Sequence, residues 1–490
     1  MLTGLLLFIL FLLCLYFALR KPTNLPPGVW GLPLLGKFPS SSQRFADQVK
    51  ELRPRYGDII TWRVGGRIQV FLCNYITIKR VLNKQEFQDR PDFATFIAYG
   101  AGDLRGVIVG NGTKWLMHRR FMLRQLRNLG MGKSKAEEAI QEEAALMVQD
   151  FKKHTNEDKT LPMSLGVAVF NVIWKMVANK RFEPDETEAH DIIRLVWEMN
   201  QSLQKGKVML FNFLPLLAAC APEWLKRRWG LQKARKLTEK INQVTKEYVD
   251  EHLKTFNRLY IRDLIDEYLL AMEDDNDISV YSLEDLYLVA TDLLVAGVET
   301  TTNTMRWAIL YLAKFPEVQR RVQREIDNVI PRGTLPMYQH KSKLPYFEAV
   351  LSEVHRIASL VPLAVPHVAS KDTELEGYSI PKGTVLYPHL ECCHRDPTLW
   401  ERPDEFYPEH FLDADGKYIN KEGLLPFSVG RRVCAGESLA RVELFIFLLA
   451  LLQNFTFSAP KGEKLSTEVD LDELFLNICK PFRIIISERQ

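Results

Sequence analysis

Charge of one sign is what this chain most conspicuously lacks: 64 Lys and Arg stand against 61 Asp and Glu, a net charge of +3 over 490 residues. So weak a field excludes nucleic acid as a partner recognised by bulk charge, and it confines any basic site to a local cluster. Cysteine is sparse as well. The seven (Cys14, Cys73, Cys220, Cys392, Cys393, Cys434 and Cys479) are odd in number and scattered. They show neither the paired spacing of a zinc site nor the density of a disulfide framework, which fits a reducing compartment. No G-x-G-x-x-G follows a strand-like run and no flavin motif is present, so electrons for any redox chemistry must come from another protein. Repeats and low-complexity tracts are missing too. With 47% apolar and 26% charged residues, the chain is neither disordered nor a multi-span membrane protein.

Long hydrophobic runs are absent with one exception. Residues 2–19 are almost uninterruptedly apolar and uncharged, and Arg20 and Lys21 follow at once. At about 1.5 Å of rise per residue the run reaches roughly 27 Å as a helix, enough for an endoplasmic reticulum bilayer. The charge follows the run and no small-residue cleavage site comes after it, so the expectation is a transmembrane anchor, not a signal peptide. Basic residues beyond the span then put the remainder on the cytosolic face. The sequons at Asn111, Asn200 and Asn454 are accordingly expected to stay unmodified. Residues 20–36, with Pro26, Pro27, Gly28, Gly31, Pro33 and Gly36, cannot continue a helix and read as a stiff hinge.

From Asp58 to Leu72 the pattern alternates about Gly65-Gly66, which predicts a β-hairpin. Beyond Tyr75 most segments have helical spacing broken by Pro or Gly; a second β-prone stretch runs from about Leu360 to Tyr387, with turns at Gly377 and Pro381-Lys382-Gly383. The expected fold is one large domain, mainly α with small β-sheets, over residues 37–490. Ser282 with Asp285 makes a capping-box start and Pro316 a stop, predicting a helix of about 32 residues, apolar nearly all round and therefore buried. Its middle, Ala296-Gly297-Val298-Glu299-Thr300-Thr301-Thr302, is poor helix material, so something other than stability selects it. Thr300 lies one turn after Ala296, where a hydroxyl can bond back to the i−4 carbonyl.

The most informative segment is Phe427-Ser428-Val429-Gly430-Arg431-Arg432-Val433-Cys434-Ala435-Gly436, ahead of an apolar helix predicted from Glu437 to Asn454. A thiolate at a helix start is favoured by the N–H groups and dipole there, and flanking glycines let backbone approach a flat ligand. Arg432 can pair with a carboxylate. A lone cysteine beside a glycine turn is more often structural, but the full pattern F-x-x-G-x-R-x-C-x-G resembles the haem-binding loop of the cytochrome P450 superfamily, the haem-thiolate monooxygenases.

That resemblance implies haem b between the long central helix and the helix after the cysteine loop, with Cys434 as the axial ligand of its iron. The central A-G-x-E-T resembles the family's A/G-G-x-D/E-T, implying that Glu299 and Thr300 manage water and protons during dioxygen activation. Trp115 and Arg119 match W-x-x-x-R, and with Arg90, His367 and Arg432 they are the implied partners of the haem propionates. Glu353 and Arg356 match E-x-x-R, and Pro408-Glu409-His410-Phe411 the later P-E-R-F-like partner. His410 replaces the commoner Arg, which would make that contact pH-dependent; the trio is expected to be structural. The hinge, Gly130-Met131-Gly132-Lys133 and His410 look most like the animal microsomal family-2-like group.

By the same resemblance the domain hydroxylates or epoxidises a small lipophilic substrate (steroid, terpenoid, fatty acid or xenobiotic) at the endoplasmic reticulum membrane. Electrons would come from NADPH through a separate NADPH-cytochrome P450 reductase, with cytochrome b5 as a further donor. The basic run from Lys114 to Lys135 holds no acid and would face that acidic reductase. A peroxide-rearranging haem-thiolate enzyme, which needs no acid–alcohol pair, and a silent haem carrier are the alternatives. Segments 93–109, 209–222 and 359–365 would shape the substrate, with Phe93, Phe96, Phe211 and Phe213 as linings or as ordinary core.

Overall fold

The computed structural model describes residues 9, 10, 12, 21–32, 35–130, 134–204, 206–274, 281–471 and 475–489. Most of the expected anchor at 2–19 therefore lies outside the described residues, and among the described residues no helix is long and apolar enough to cross a membrane. Helices dominate, as the spacing predicts. The central one, Leu283–Lys314, has 32 residues. Ser282 Oγ accepts from the Asp285 N–H at 3.2 Å and donates to the Asp285 carboxylate at 2.7 Å, closing the N-terminus. Pro316 opens the next helix, Pro316–Val329.

Helices Ser164–Ala178, Leu231–Thr255, Pro345–Ala358 and Glu437–Asn454 pack around this core element. Ser164–Ala178 is buried everywhere except at Lys175. Burying each Val, Leu or Ile there contributes about 1.5–3 kcal/mol, which is why a helix apolar on all faces settles at the centre.

The hairpin forms around Gly65-Gly66: Ile59–Val64 pairs antiparallel with Arg67–Leu72, from Ile59 opposite Leu72 to Val64 opposite Arg67. Val385–Pro388 runs parallel to Arg67–Leu72, and His367–Val368 antiparallel to Val385–Pro388. Gly28–Val29 completes the five-stranded sheet along Ile59–Val64. Part of the Pro/Gly-rich segment is thus an edge strand, and a Cβ on Gly28 would lie 1.9 Å from the Thr61 carbonyl oxygen. A small hairpin, Thr373–Leu375 with Tyr378–Ile380, turns at Gly377. Phe455–Ser458, Ile484–Glu488 and Asp158–Lys159 form a third sheet.

The irregular stretch beyond His394 is held by one buried guanidinium. Arg356 donates to both Glu353 carboxylate oxygens at 2.7 Å, and to the carbonyls of His394 (2.8 Å), Pro403 (2.7 Å) and Glu405 (2.7 Å). Glu353 also accepts from the Tyr407 N–H at 2.8 Å and from His410 Nδ1 at 3.2 Å. The Arg402 N–H donates to His410 Nε2 at 3.2 Å, so Nδ1 carries the hydrogen given to Glu353. The ring thus spans the Arg402 N–H and the Glu353 carboxylate in the place of the commoner Arg. All six described cysteines are free.

Candidate active site

The cysteine loop is set by its backbone. The Cys434 N–H donates to the Phe427 carbonyl at 3.0 Å. Gly430 takes φ +82°, and a Cβ there would meet the Leu82 carbonyl oxygen at 2.3 Å, so only glycine lets the loop lie against helix Tyr75–Asn83. Three residues after Cys434 the helix Glu437–Asn454 begins. Burial pushes the Cys434 thiol up; the N–H groups of Gly436 and Glu437, bonded to the sulfur, and the nearby Arg119 pull it down. Cys434 is exposed, and it lines a cavity of about 330 Å³.

A second wall of that cavity is the central helix, at Ala296, Gly297, Thr300, Thr301 and Thr304. Thr300 Oγ1 donates to the Ala296 carbonyl at 2.8 Å, the back-bond that their spacing suggests. Thr302 and Thr304 do the same to Val298 (2.7 Å) and Thr300 (2.9 Å). The poor helix formers are thereby accommodated without breaking the helix. Gly297 admits the neighbouring helix: a Cβ there would sit 3.3 Å from the Ile173 side chain.

Arg90, Arg119, His367 and Arg432 line the same cavity. Arg90 donates to the carbonyls of Val365 (2.8 Å), Pro366 (3.0 Å) and Ile108 (3.2 Å). Arg432 donates to Gln88 (2.9 Å) and Gly110 (2.6 Å), and Arg119 to the Val433 carbonyl beside the cysteine. Among the described residues none of these three arginines forms a salt bridge with a carboxylate. Burial and mutual repulsion hold Arg90 down to about 9 and Arg432 to about 8. Burial, with Arg90 adding to it, also keeps His367 well below the usual imidazole range; its Nδ1–H goes to the Phe87 carbonyl at 2.7 Å.

Two expected residues sit differently. Trp115 does not line the cavity: its indole N–H donates to the Val107 carbonyl at 3.1 Å, and its ring carries Arg432. Glu299 is buried on another flank of the central helix, where its carboxylate accepts from the Asn200 side chain, while Thr300 faces the cavity. Of the basic run, Arg120, Arg124 and Arg127 are exposed, Arg119 turns inward, and Lys114 pairs with Asp285 at 2.6 Å; Lys133 and Lys135 lie outside the described side chains.

The residues that sequence reasoning misses are Asp292 and Glu443, both buried and both lining the cavity. Asp292 accepts from the Tyr99 hydroxyl (2.7 Å) and from the N–H groups of Val107 and Ile108, fastening that segment to the central helix. The signal was a lone acid in each of two otherwise apolar helical stretches. The four phenylalanines do not line the cavity. Phe93 packs on Phe96 (5.4 Å) and Phe213 (6.4 Å), and Phe211 on Trp229 (5.3 Å). Val107, Ile108, Leu293, Val361 and Val365 supply the apolar lining instead.

Comparison with known proteins agrees with this geometry. The Cytochrome P450 family model matches residues 26–486. Cytochrome P450 2L1 of Panulirus argus is 52% identical over 492 residues, covering 100% of both chains. Cytochrome P450 2J2 of Homo sapiens is 37% identical over 455 residues, covering 91% of this chain and 88% of that protein. Cytochrome P450 2H1 of Gallus gallus is 34% identical over 488 residues, covering 97% of each. The mainly helical fold, the cysteine loop at a largely apolar cavity and these full-length similarities together place the chain in the cytochrome P450 family, in its family-2-like group of monooxygenases.

Proposed function

We propose that this chain hydroxylates or epoxidises a small lipophilic molecule, with haem b held by the Cys434 thiolate and electrons from NADPH arriving through a separate NADPH-cytochrome P450 reductase. Cytochrome b5 is a further donor. One observation carries the reading: Cys434, the buried Arg90 and Arg432 and the half-buried Arg119 converge on a single, largely apolar cavity. Buried cations with no opposite charge are costly, by several kcal/mol each. The two propionates of a haem offset that cost, so the residues fit the group in charge. Bound haem supplies dioxygen activation and oxygen-atom transfer.

The chain supplies the surroundings. The N–H groups of Gly436 and Glu437 and the charge of Arg119 stabilise the thiolate form of Cys434. Arg90 and Arg432, locked by backbone carbonyls, are preset partners for the propionates, and Trp115 fixes the plane of Arg432. His367 adds a ring nitrogen on the same side. Thr300 holds its hydroxyl at the cavity, and Glu299 behind it exchanges protons with water. Val107, Ile108, Val361 and Val365 exclude water and favour a steroid, terpenoid, fatty acid or xenobiotic. Exposed Arg120, Arg124 and Arg127 receive the acidic reductase. Residues 2–19 anchor the chain in the endoplasmic reticulum membrane, with domain 37–490 on the cytosolic side.

The test is Cys434→Ser in the full chain, purified with haem. The expected result is loss of the thiolate-type carbon monoxide difference spectrum, together with loss of turnover driven by NADPH and the reductase. An unchanged spectrum would remove Cys434 from the iron and end the proposal.

A further inference from the structure

We propose that Glu443 is a proton source for the cavity, acting through the hydroxyl of Thr301. Glu443 sits in the middle of helix Glu437–Asn454, where the residues from Leu444 to Leu452 are all apolar, and it is 3% exposed. It lines the same cavity as Cys434 and Thr300. Thr301, the residue after Thr300 on the central helix, lines the cavity beside it, and the Thr301 hydroxyl favours the ionised form of the Glu443 carboxyl. The inference rests on the monooxygenase reading above, in which the reaction consumes protons in a nearly dry pocket.

Among the described residues Glu443 forms no salt bridge. On its own helix Glu437 and Arg441 pair with each other at 2.9 Å. On the elements packed against it, Glu143 pairs with Arg181, and Glu325 accepts from the Tyr346 and Phe347 N–H groups. Lys341 pairs with Glu348, and Glu299 engages Asn200. His355, which also lines the cavity, is kept uncharged by burial and by Arg441. Burial therefore dominates, and pushes Glu443 up to about 8. A carboxylic acid in a helix core with one hydroxyl partner gives less stability than a leucine of similar size would. Its presence is accounted for by what it can release. Glu299 does not line the cavity, whereas Glu443 does.

In the step itself the Glu443 carboxyl proton passes to Thr301 Oγ1 as the Thr301 hydroxyl proton passes on into the cavity. The carboxylate is then reprotonated from water, so one proton leaves and one returns.

The experiment uses the full haem-loaded chain and its Glu443→Gln and Glu443→Asp variants. The first readout needs no turnover: infrared difference spectra, wild type minus Glu443→Gln, followed against pH. The carbonyl stretch of a protonated carboxylic acid is expected in the difference and should vanish with a midpoint near 8. Its absence at neutral pH overturns the proposal. The second readout is product formed and hydrogen peroxide released per NADPH, with reductase and lauric acid as the added lipophile. Wild-type coupling should fall as pH rises through that midpoint. Glu443→Gln should be poorly coupled at every pH, with severalfold more peroxide, and Glu443→Asp should restore part of the pH dependence. Thr301→Val should copy Glu443→Gln, which keeps the test open should that variant fold poorly. A Glu443→Gln enzyme with the wild-type pH profile overturns the proposal while leaving the monooxygenase reading intact. A wild type without the thiolate-type carbon monoxide spectrum overturns both.

Discussion

Arg432 sits over the indole of Trp115, with 3.5 Å between the guanidinium carbon and the ring centroid. The face of the guanidinium is taken by the ring and its edge by the carbonyls of Gln88 and Gly110, so the charge is held in one plane. Lysine can restore the charge but neither the stacking nor the fork. A desolvated contact of this kind is worth about 2 kcal/mol. Arg432→Lys is therefore expected to fold yet lose haem more than about tenfold faster. The check is the rate of haem transfer to an acceptor protein; equal rates would mean that charge alone suffices.

Asp292 makes stability depend on pH in an unusual direction for a carboxylate. Burial raises it to about 6, against an ordinary 3.8. Between those values the folded chain binds more protons than the unfolded one. The contribution of Asp292 is therefore complete below the ordinary value and is lost as pH rises through 6. The difference amounts to roughly 3 kcal/mol. Asp292→Asn keeps acceptors for Val107 and Ile108 and should flatten stability across this window, as read by urea unfolding at pH values on either side. A wild type whose stability rises relative to Asp292→Asn over the same range would contradict the assignment.

Arg356→Ala leaves the buried Glu353 without its guanidinium partner, and frees the carbonyls of His394, Pro403 and Glu405. Removing one partner of a buried pair costs about 3–5 kcal/mol. Denaturant unfolding should show a loss of that size, and limited proteolysis should cut first between residues 395 and 411. A loss below about 1 kcal/mol would reduce the pair to the rank of a surface salt bridge.

Much of this was legible in advance because local rules carried it. Ser282 and Pro316 fixed the central helix by capping and by the missing proline N–H, and the Gly65-Gly66 hairpin followed from alternation alone. The cysteine loop was readable because several residue types recur at fixed spacing, and its cations do meet in space. What spacing cannot say is which way a side chain turns. Glu299 and Thr300 are neighbours in the motif, yet one lies against Asn200 and the other at the cavity. Trp115 shares a helix face with Arg119, yet its N–H is claimed by Val107, a backbone partner no motif records. Asp292 and Glu443 passed unnoticed because an isolated acid in an apolar helix reads as a solvated position until tertiary packing closes over it. The phenylalanines were overrated for the opposite reason: large rings fill core gaps well, and shorter aliphatic residues line the space left over.

The pairing of Gly28–Val29 along Ile59–Val64 bears on how the chain should be shortened. All six residues of the covered strand are buried, and their free hydrogen-bonding groups on that side would otherwise form a template for another molecule. A version trimmed past Val29 to remove the greasy leader would uncover that template, and self-association would rise where the trimming was meant to prevent it.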